Sequence, residues 1–155
     1  MKGKSGDIIL RDVHPEDSKE SLTPRDLAEA LVQRLGLQRK KSTAQHADLM
    51  NFLLEQKKAQ VPVDINQIAK VLSVSTSQAY EEIRKWRSLR VLEAVKVPVQ
   101  GSNEFMKGYM LSGITANQLV EKAQSSANAF FRTTKRLAKD FDDLTSAETA
   151  RAAKQ

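Results

Sequence analysis

DINQIAKVLSVSTSQAYEEIRKWRSLRVL, residues 64–92, decides the fold, because it reads as two short helices joined by a tight turn. Asp64 can cap a first helix, in which apolar residues recur at i, i+3, i+4 and i+7. These residues are Ile65, Ile68, Ala69 and Leu72. The run then breaks, and Ser75 or Thr76 can cap a second helix. The apolar face of the second helix consists of Ala79, Ile83 and Trp86.

A β-hairpin is predicted directly after these helices. Residues 94–99 and 105–111 are rich in β-branched and apolar side chains with period-two alternation, which is typical of strands. Gln100-Gly101-Ser102-Asn103 between them has the composition of a turn. Val61-Pro62-Val63 reads as a short strand that leads into Asp64. The expected order is therefore short strand, two helices and hairpin.

The N-terminal part of the chain predicts an arm and a helix. Residues 1–21 are charged and polar, and we expect a flexible arm. Residues 22–37 predict a helix with Thr23 as N-cap and Pro24 at the first helical position. Gly36 is suited to follow its last turn.

A further helix is expected to open the central domain, residues 42–112. Ser42 with Gln45 forms a plausible capping box at its start. Its buried stripe is predicted to be Ala47, Met50, Leu53 and Leu54. His46 is expected on or near the polar face, where it has no second ligand to make a metal site.

The helix pair and hairpin resemble the winged helix-turn-helix superfamily of DNA-binding regulators, of the MarR-type and ArsR-type kind. The resemblance is carried by Ile68-Ala69, Leu72, Val74-Ser75, Ala79, Ile83, Trp86 and the exit Leu89-Arg90-Val91-Leu92. It implies a mainly α fold with a small β-hairpin wing (α+β), followed by a long C-terminal helix. The family usually has glycine where this chain has Ser73 and Arg90. A side chain costs energy in a left-handed conformation, so these turns are expected to differ slightly here.

The resemblance also implies how double-stranded DNA would be bound. The helix over about residues 76–89 would enter the major groove, and the wing, about 94–111, would contact the backbone or minor groove. Ser77, Gln78 and Arg84 would read base edges, and Tyr80 a thymine methyl group or a phosphate. The other candidate DNA contacts are Ser75, Thr76, Lys85 and Arg87 near the helix, Lys96 and Lys107 on the wing, and Arg39, Lys40 and Lys41 in a basic linker.

The linker could equally be a solvated connector. The acidic pairs Glu81-Glu82 and Asp142-Asp143 are adjacent in sequence, so we expect them to be charged helix surface rather than catalytic pairs. A carboxylate facing phosphate would be repelled, although Glu81 could accept a hydrogen bond from cytosine. Two alternatives to a sequence-specific regulator therefore stay open. One is a winged-helix protein-interaction module of a transcription or chromosome-organising complex, and the other is a nonspecific chromatin-type DNA binder.

Residues 113–145 predict a long helix with a heptad stripe, followed by a frayed tail over 146–155. The stripe consists of Val120, Ala123, Ala127, Phe130, Thr134, Leu137, Phe141 and Leu144. A stripe of that length exceeds what one small domain needs to bury, so it predicts a dimer interface with a second copy. Packing on the chain's own N-terminal helix is the alternative, and both contacts can coexist. Dimerisation would place two recognition helices on successive turns of an inverted repeat.

Composition narrows the function further. The chain has 25 Lys and Arg against 19 Asp and Glu, and this net charge of +6 favours polyanionic partners. There is no cysteine, Gly-rich phosphate loop, nucleophile elbow or metal-ligand spacing, so we expect no enzyme, metal or cofactor. No apolar run is long enough to cross a bilayer, and a cytoplasmic, nucleoid-associated location is expected. No small-molecule effector is indicated.

Overall fold

The computed structural model describes residues 10–13, 23–39 and 41–154. The helices are α1 (Pro24–Arg34), α2 (His46–Lys58), α3 (Ile65–Leu72), α4 (Thr76–Glu82), α5 (Arg84–Ser88) and α6 (Ala116–Ala153). The strands β1 (Leu92–Pro98) and β2 (Phe105–Leu111) form an antiparallel hairpin. The described chain is therefore mainly helical with a small two-stranded sheet and a long C-terminal helix, which confirms the coarse prediction. It divides into two compact units after Ala123.

Three helix starts follow from short polar side chains at the predicted positions. Thr23 caps α1, where its hydroxyl accepts from the Asp26 backbone N–H at 3.2 Å. Asp64 caps α3 by accepting from the Gln67 N–H at 2.8 Å. Ser75 caps α4. Each cap satisfies a backbone donor that has no partner inside its helix.

The two turns at Ser73 and Arg90 adopt the left-handed conformation in spite of their side chains. Ser73 has φ of 58° after α3, and Arg90 has φ of 60° after α5. The expected difference from a glycine-type turn is therefore not observed. Gly36 also has positive φ, 66°, directly after α1, as predicted.

The core of the first unit is built on the apolar faces of α3 and α4–α5. Ile68, Ala69 and Leu72 are buried against Ala79, Ile83 and Trp86, as the spacing predicts. Tyr109 of β2 joins the same cluster. Val63 bridges to Tyr109 through backbone hydrogen bonds of 2.7 and 3.0 Å, so the strand predicted over 61–63 is reduced to a single bridge to the hairpin. Full burial of a single large apolar side chain contributes about 1.5–3 kcal/mol.

Helix boundaries differ from the predictions in three places. Helix α2 begins at His46 with no side-chain cap, so the predicted capping box of Ser42 and Gln45 is wrong. The Ser42 hydroxyl instead donates to a buried carboxylate described below. The segment 76–89 is interrupted at Ile83, which separates α4 from α5. Helix α6 continues through Ala153, where a frayed tail was expected.

The first part of α6 belongs to the first unit. Leu119 and Ala123 are buried in its core, so the assignment of Ala123 to a dimer interface is wrong. Burial of Leu119 gives the reason, because this residue directs the opening turns of α6 onto the core. Val120, on the neighbouring side, is 36% exposed.

The second unit is the remainder of α6, with most of the heptad stripe uncovered. Phe130, Leu137, Phe141 and Leu144 are between 59% and 68% exposed. Thr134 is exposed and bonds the carbonyl of Phe130 at 2.9 Å.

Several predictions concern residues beyond the described ranges. The arm over residues 1–21 is represented only by 10–13, where the Arg11 N–H donates to the Arg34 carbonyl at 3.0 Å. Lys40 also lies outside the described residues. In the part that is described, no helix is both long and apolar enough to cross a membrane.

Candidate nucleic-acid interface

Most of the predicted DNA-contacting side chains lie at the surface of the first unit. The exposed ones are Ser75, Thr76, Ser77, Gln78, Tyr80, Arg87, Lys96, Lys107, Arg39 and Lys41. Arg84 and Lys85 are half-buried. Contacts connect some of these residues in two groups. Arg39 and Gln78 meet at Glu82, and Arg87 and Lys107 meet at Tyr109.

Tyr109 brings a cation of α5 and a cation of the hairpin to one aromatic ring. The guanidinium of Arg87 lies 5.8 Å from the ring centroid, and the Lys107 ammonium lies 5.6 Å from it. The ring itself is buried, and its hydroxyl has no hydrogen-bond partner among the described residues. The ring thus acts as a fixed platform that presents two positive charges from different elements.

Lys96 adds a third positive charge at this place. It pairs directly with Lys107 across the two strands of the hairpin. Like charges in that position repel each other. Within the described ranges, no carboxylate forms an ion pair with Arg87, Lys96 or Lys107. An external anion between these side chains would relieve the repulsion.

Helices α4 and α5 line a surface groove. Its walls are formed by Tyr80, Ile83, Arg84, Arg87 and Ser88. Arg84 forms an ion pair with Glu81 at 2.6 Å, so part of its charge is balanced within the chain. The groove combines guanidinium and hydroxyl groups, which are suitable donors for phosphate oxygens or base edges.

Glu82 and His46 are buried, which contradicts the prediction that both lie on polar helix surface. Their side chains have no exposed area, and His46 Nε2 lies 2.7 Å from Glu82 Oε2. The indole N–H of Trp86 donates to His46 Nδ1 at 3.1 Å. An indole nitrogen can only donate, so Nδ1 carries no proton, and Nε2 must carry the proton that binds Glu82. His46 is therefore a neutral imidazole held in one tautomer.

The sequence contained a signal for this pair. Ala79, Glu82, Ile83 and Trp86 have i, i+3, i+4 and i+7 spacing, and so Glu82 falls on the apolar face of its helix. His46 similarly lies four residues before the buried Met50. The spacing places both groups inside, but only the packing of α2 against α4 and α5 brings them into contact.

Both groups have pKa values below their ordinary ones. Burial penalises the imidazolium and lowers the pKa of His46, and this outweighs the opposing effect of Glu82. Burial alone would raise the pKa of Glu82, but donation from His46 and Ser42 and the charge of Arg39 lower it. Glu82 is thus a buried carboxylate balanced by hydrogen bonds and one cation.

Glu82 also connects the basic linker to α4. The Ser42 hydroxyl donates to Glu82 Oε1 at 3.0 Å, and Arg39 Nε lies 3.8 Å from the same oxygen. Gln78 donates to it at 3.5 Å. The linker is therefore anchored to the helix, and Arg39 and Gln78, both candidate DNA contacts, meet at one carboxylate.

Comparison with known proteins identifies no relative, so a function can be argued only from the geometry described above. No family model, curated protein or solved structure matches the chain. In the described ranges, no three His, Cys, Asp or Glu side chains are grouped to hold a metal ion. The arrangement offers exposed cations and hydrogen-bond donors around Tyr109 and beside α4, and a buried hydrogen-bonded network at Glu82.

Proposed function

We propose that the chain is a sequence-specific, double-stranded DNA-binding transcriptional regulator that acts as a homodimer. In this proposal α3, α4–α5 and the hairpin form a winged helix-turn-helix. Helix α4 with α5 lies in the major groove, and the hairpin lies on the backbone or in the minor groove. The protein binds and does not catalyse, it needs no metal or cofactor, and it localises with the nucleoid because DNA is its partner.

The observation that carries this proposal is the convergence of Arg87 and Lys107 on Tyr109, with Lys96 across from Lys107. Three cations from the helix and the hairpin meet there without an acidic partner in the described chain. A phosphate backbone that runs past both elements would neutralise all three charges.

Burial of Glu82 removes one objection to a DNA-binding helix. Of the two adjacent acids in this region, only Glu81 remains at the surface, and it is already paired with Arg84. In the bound state Arg84 would exchange this partner for a base edge, a guanine above all, since guanine accepts two hydrogen bonds from one guanidinium. Ser77 and Gln78 would read the neighbouring bases from the same face of the helix.

The remaining candidate residues would position the protein on the backbone. Tyr80 and Lys85 are suited to phosphates beside α4, as are Ser75 and Thr76 at its N-terminus. Arg39 and Lys41 would contact a phosphate from the linker, whose attachment to Glu82 keeps them close to α4. The uncovered stripe of α6 supplies the dimer contact in this proposal, and a two-fold dimer would bind an inverted repeat.

The test is selection from a pool of random duplexes at two salt concentrations, with Arg84→Ala and Lys154→Ala variants in parallel. We expect enrichment of an inverted repeat and affinity that falls steeply with salt, by a slope of about 0.9 per neutralised phosphate. Arg84→Ala should lose preference at one base of each half-site. Lys154→Ala removes the same charge at the end of α6 and should leave preference unchanged.

Two results would contradict the proposal. Retention of duplexes without enrichment would indicate a nonspecific chromatin-type binder. If no duplex is retained even at low salt, the DNA-binding function is wrong. The search would then turn to a protein partner, beginning with Phe105 and Met106, which are 63% and 51% exposed on the hairpin.

A further inference from the structure

The second unit has an apolar face that the described residues leave uncovered. Phe130 and Phe131 contact each other edge to face, with ring centroids 5.5 Å apart, and both rings are more than half exposed. Leu137, Phe141 and Leu144 continue the face and are 65–68% exposed. Residues flanking this seam are mostly small, so a second helix can approach closely.

Charge is separated into two blocks along the same helix. Residues 132–139 contain four cations and no acid, namely Arg132, Lys135, Arg136 and Lys139. Residues 140–148 contain four acids and no cation, namely Asp140, Asp142, Asp143 and Glu148. The boundary between the blocks falls between Leu137 and Phe141, in the centre of the seam.

We propose that two copies pair through α6 in an antiparallel coiled coil, with the two-fold axis at Lys139. This inference rests on the homodimer in the proposed function and specifies its geometry. In this register, residue n of one copy lies level with residue 278 − n of the partner. The basic block of one copy then lies along the acidic block of the other.

The register also satisfies the seam itself. Antiparallel coiled coils pair a positions with d positions, so Leu137 packs against the partner's Phe141, and Thr134 against the partner's Leu144. Thr134 bonds its own Phe130 carbonyl at 2.9 Å, so its hydroxyl is satisfied inside the seam. These two layers each combine one larger and one smaller side chain, which favours interdigitation. The outer layers set Glu148 against the partner's Phe130 and Arg151 against the partner's Ala127.

Outside the small flanking residues, opposite charges face each other on both sides of the pair in this arrangement, at the outer b and c positions of the heptad. Lys135 and the partner's Asp142 share one side of the seam at almost the same level. Arg136 and the partner's Asp143 share the other side. The two-fold axis repeats each pair, so opposite charges face each other at four outer places near the centre of the dimer, where they attract over a distance rather than in direct contact.

A parallel pair would reverse these contacts. Arg136 would face the partner's Lys135, and Asp142 the partner's Asp143. Glu148 and Arg151, at the next seam positions, would each meet their own copy. An antiparallel register shifted by one heptad is also unfavourable, because it centres the basic block on itself. Repulsion acts over a Debye length of about 8 Å at physiological salt, so these like charges would be felt.

Antiparallel pairing has a consequence for DNA. The two chains enter the paired segment at opposite ends, and their Ala123 residues lie about 48 Å apart along the axis, at 1.5 Å per residue. One turn of DNA is about 34 Å. The two ends at which the chains enter the paired segment are therefore further apart than one turn of DNA.

Disulfide cross-linking tests the orientation directly, because the chain has no cysteine. The full chain is prepared as Ala127→Cys and as Arg151→Cys, one of them with a mass tag, and the mixture is oxidised. Antiparallel pairing predicts the mixed cross-link, since these positions share a layer. Self-cross-linking of Ala127→Cys instead would show a parallel pair and overturn the inference.

A charge variant gives a second readout. Lys135→Gln with Arg136→Gln removes attraction in the antiparallel pair, and the dimer dissociation constant should rise about fivefold or more at low salt. In a parallel pair the same change removes repulsion and tightens the dimer, which would contradict the inference. Arg132→Gln, directed away from the seam, is the matched control and should change little.

The outcomes separate this inference from the proposed function. A parallel cross-link overturns the orientation and leaves the DNA-binding proposal in place. A monomer in sedimentation at high chain concentration overturns both the homodimer and its geometry. Loss of DNA selection with a mixed cross-link would overturn the function alone.

Discussion

Glu82 carries its charge in a helix whose outer face we assign to DNA, yet its side chain lies in the core. The carboxylate accepts hydrogen bonds from His46 and Ser42 and is 3.8 Å from Arg39. Such a group contributes little net stability when it is fully paired, but leaves costly unpaired donors when it is removed. Its role is to fix how α2, the linker and α4 meet.

Removal of this carboxylate should therefore lower the stability of the fold substantially. Glu82→Ala is expected to lower the free energy of unfolding by about 3 kcal/mol, because His46 and Ser42 lose their acceptor inside the core. Glu82→Gln keeps an oxygen acceptor and should lose less. Glu81→Ala, at an exposed ion pair, should change stability by about 0.5 kcal/mol or less. Urea unfolding of the three variants measures this, and equal effects at positions 81 and 82 would contradict the buried network.

The stability of the protein should also fall in mild acid. The pKa of His46 is lowered by burial, so below the ordinary His value of about 6.5 the unfolded chain binds a proton that the folded chain refuses. The unfolding free energy should then decrease as pH falls from 7 to 5.5. Glu82 acts in the same direction at lower pH, since its pKa is also lowered.

Urea unfolding at several pH values in a His14→Gln background checks this effect. The chain has two histidines, so the remaining pH dependence in this window belongs to His46. An unfolding free energy that is constant from pH 7 to 5.5 would contradict the buried neutral imidazole.

The contact between Glu82 and His46 could not be read from the sequence, although the burial of each could. Positions 79, 82, 83 and 86 form one helix face, and this rule is local. Charged and polar side chains are mostly exposed, which favoured a surface position for Glu82 and His46, but such groups can be buried when they pair with each other. Residues 36 positions apart meet only through tertiary packing. The exposure of candidates such as Ser77 and Lys96 could be predicted from the type of element and its hydrophobic period alone.

At the scale of elements, caps were predictable where one short side chain and its backbone partner lie within a few residues. Thr23, Asp64 and Ser75 satisfy this condition. The start of α2 was not predictable in this way, because Ser42 has a distant partner, Glu82, in place of its own helix. The end of α6 at Ala153 reflects a run of helix-forming residues that composition alone had suggested would fray.

The left-handed turns after α3 and α5 are places where substitution should increase the stability of the fold. Ser73 and Arg90 hold φ near 60°, a conformation that costs an L-residue about 1–2 kcal/mol and glycine little. Because glycine loses more entropy on folding, Ser73→Gly and Arg90→Gly should each stabilise by about 0.5–1 kcal/mol. Lys70→Gly, in α3, should destabilise by about 1 kcal/mol.

Thermal unfolding of the three glycine variants measures these effects. Opposite signs at positions 73 and 70 would support the left-handed geometry. Destabilisation by Ser73→Gly of the same size as Lys70→Gly would contradict it.

At the scale of the whole molecule, the proposed dimer connects stability of association with DNA affinity. Leu137 is 65% exposed and lies at the centre of the seam, so Leu137→Asp should leave the first unit folded and abolish the dimer. Affinity for the selected inverted repeat should fall by about tenfold or more, while affinity for a single half-site should not change.

Ser125→Asp is the control for this change, since it adds the same charge at an exposed position that is directed away from the seam and lies outside both charge blocks. Sedimentation and duplex titration measure both properties. A dimer that persists in Leu137→Asp would show that the stripe is not the interface.

The uncovered apolar face of the second unit should make the helix content and the dimer population depend on protein concentration. A helix whose apolar side the described residues leave uncovered is stabilised by contact with another copy, so dilution should lower the helical circular-dichroism signal. By mass action, the dimer population in the dilute regime follows the square of total chain. Halving the supply would then remove about three quarters of the dimer. Occupancy of the proposed DNA sites would then change more than in proportion to the concentration of the protein.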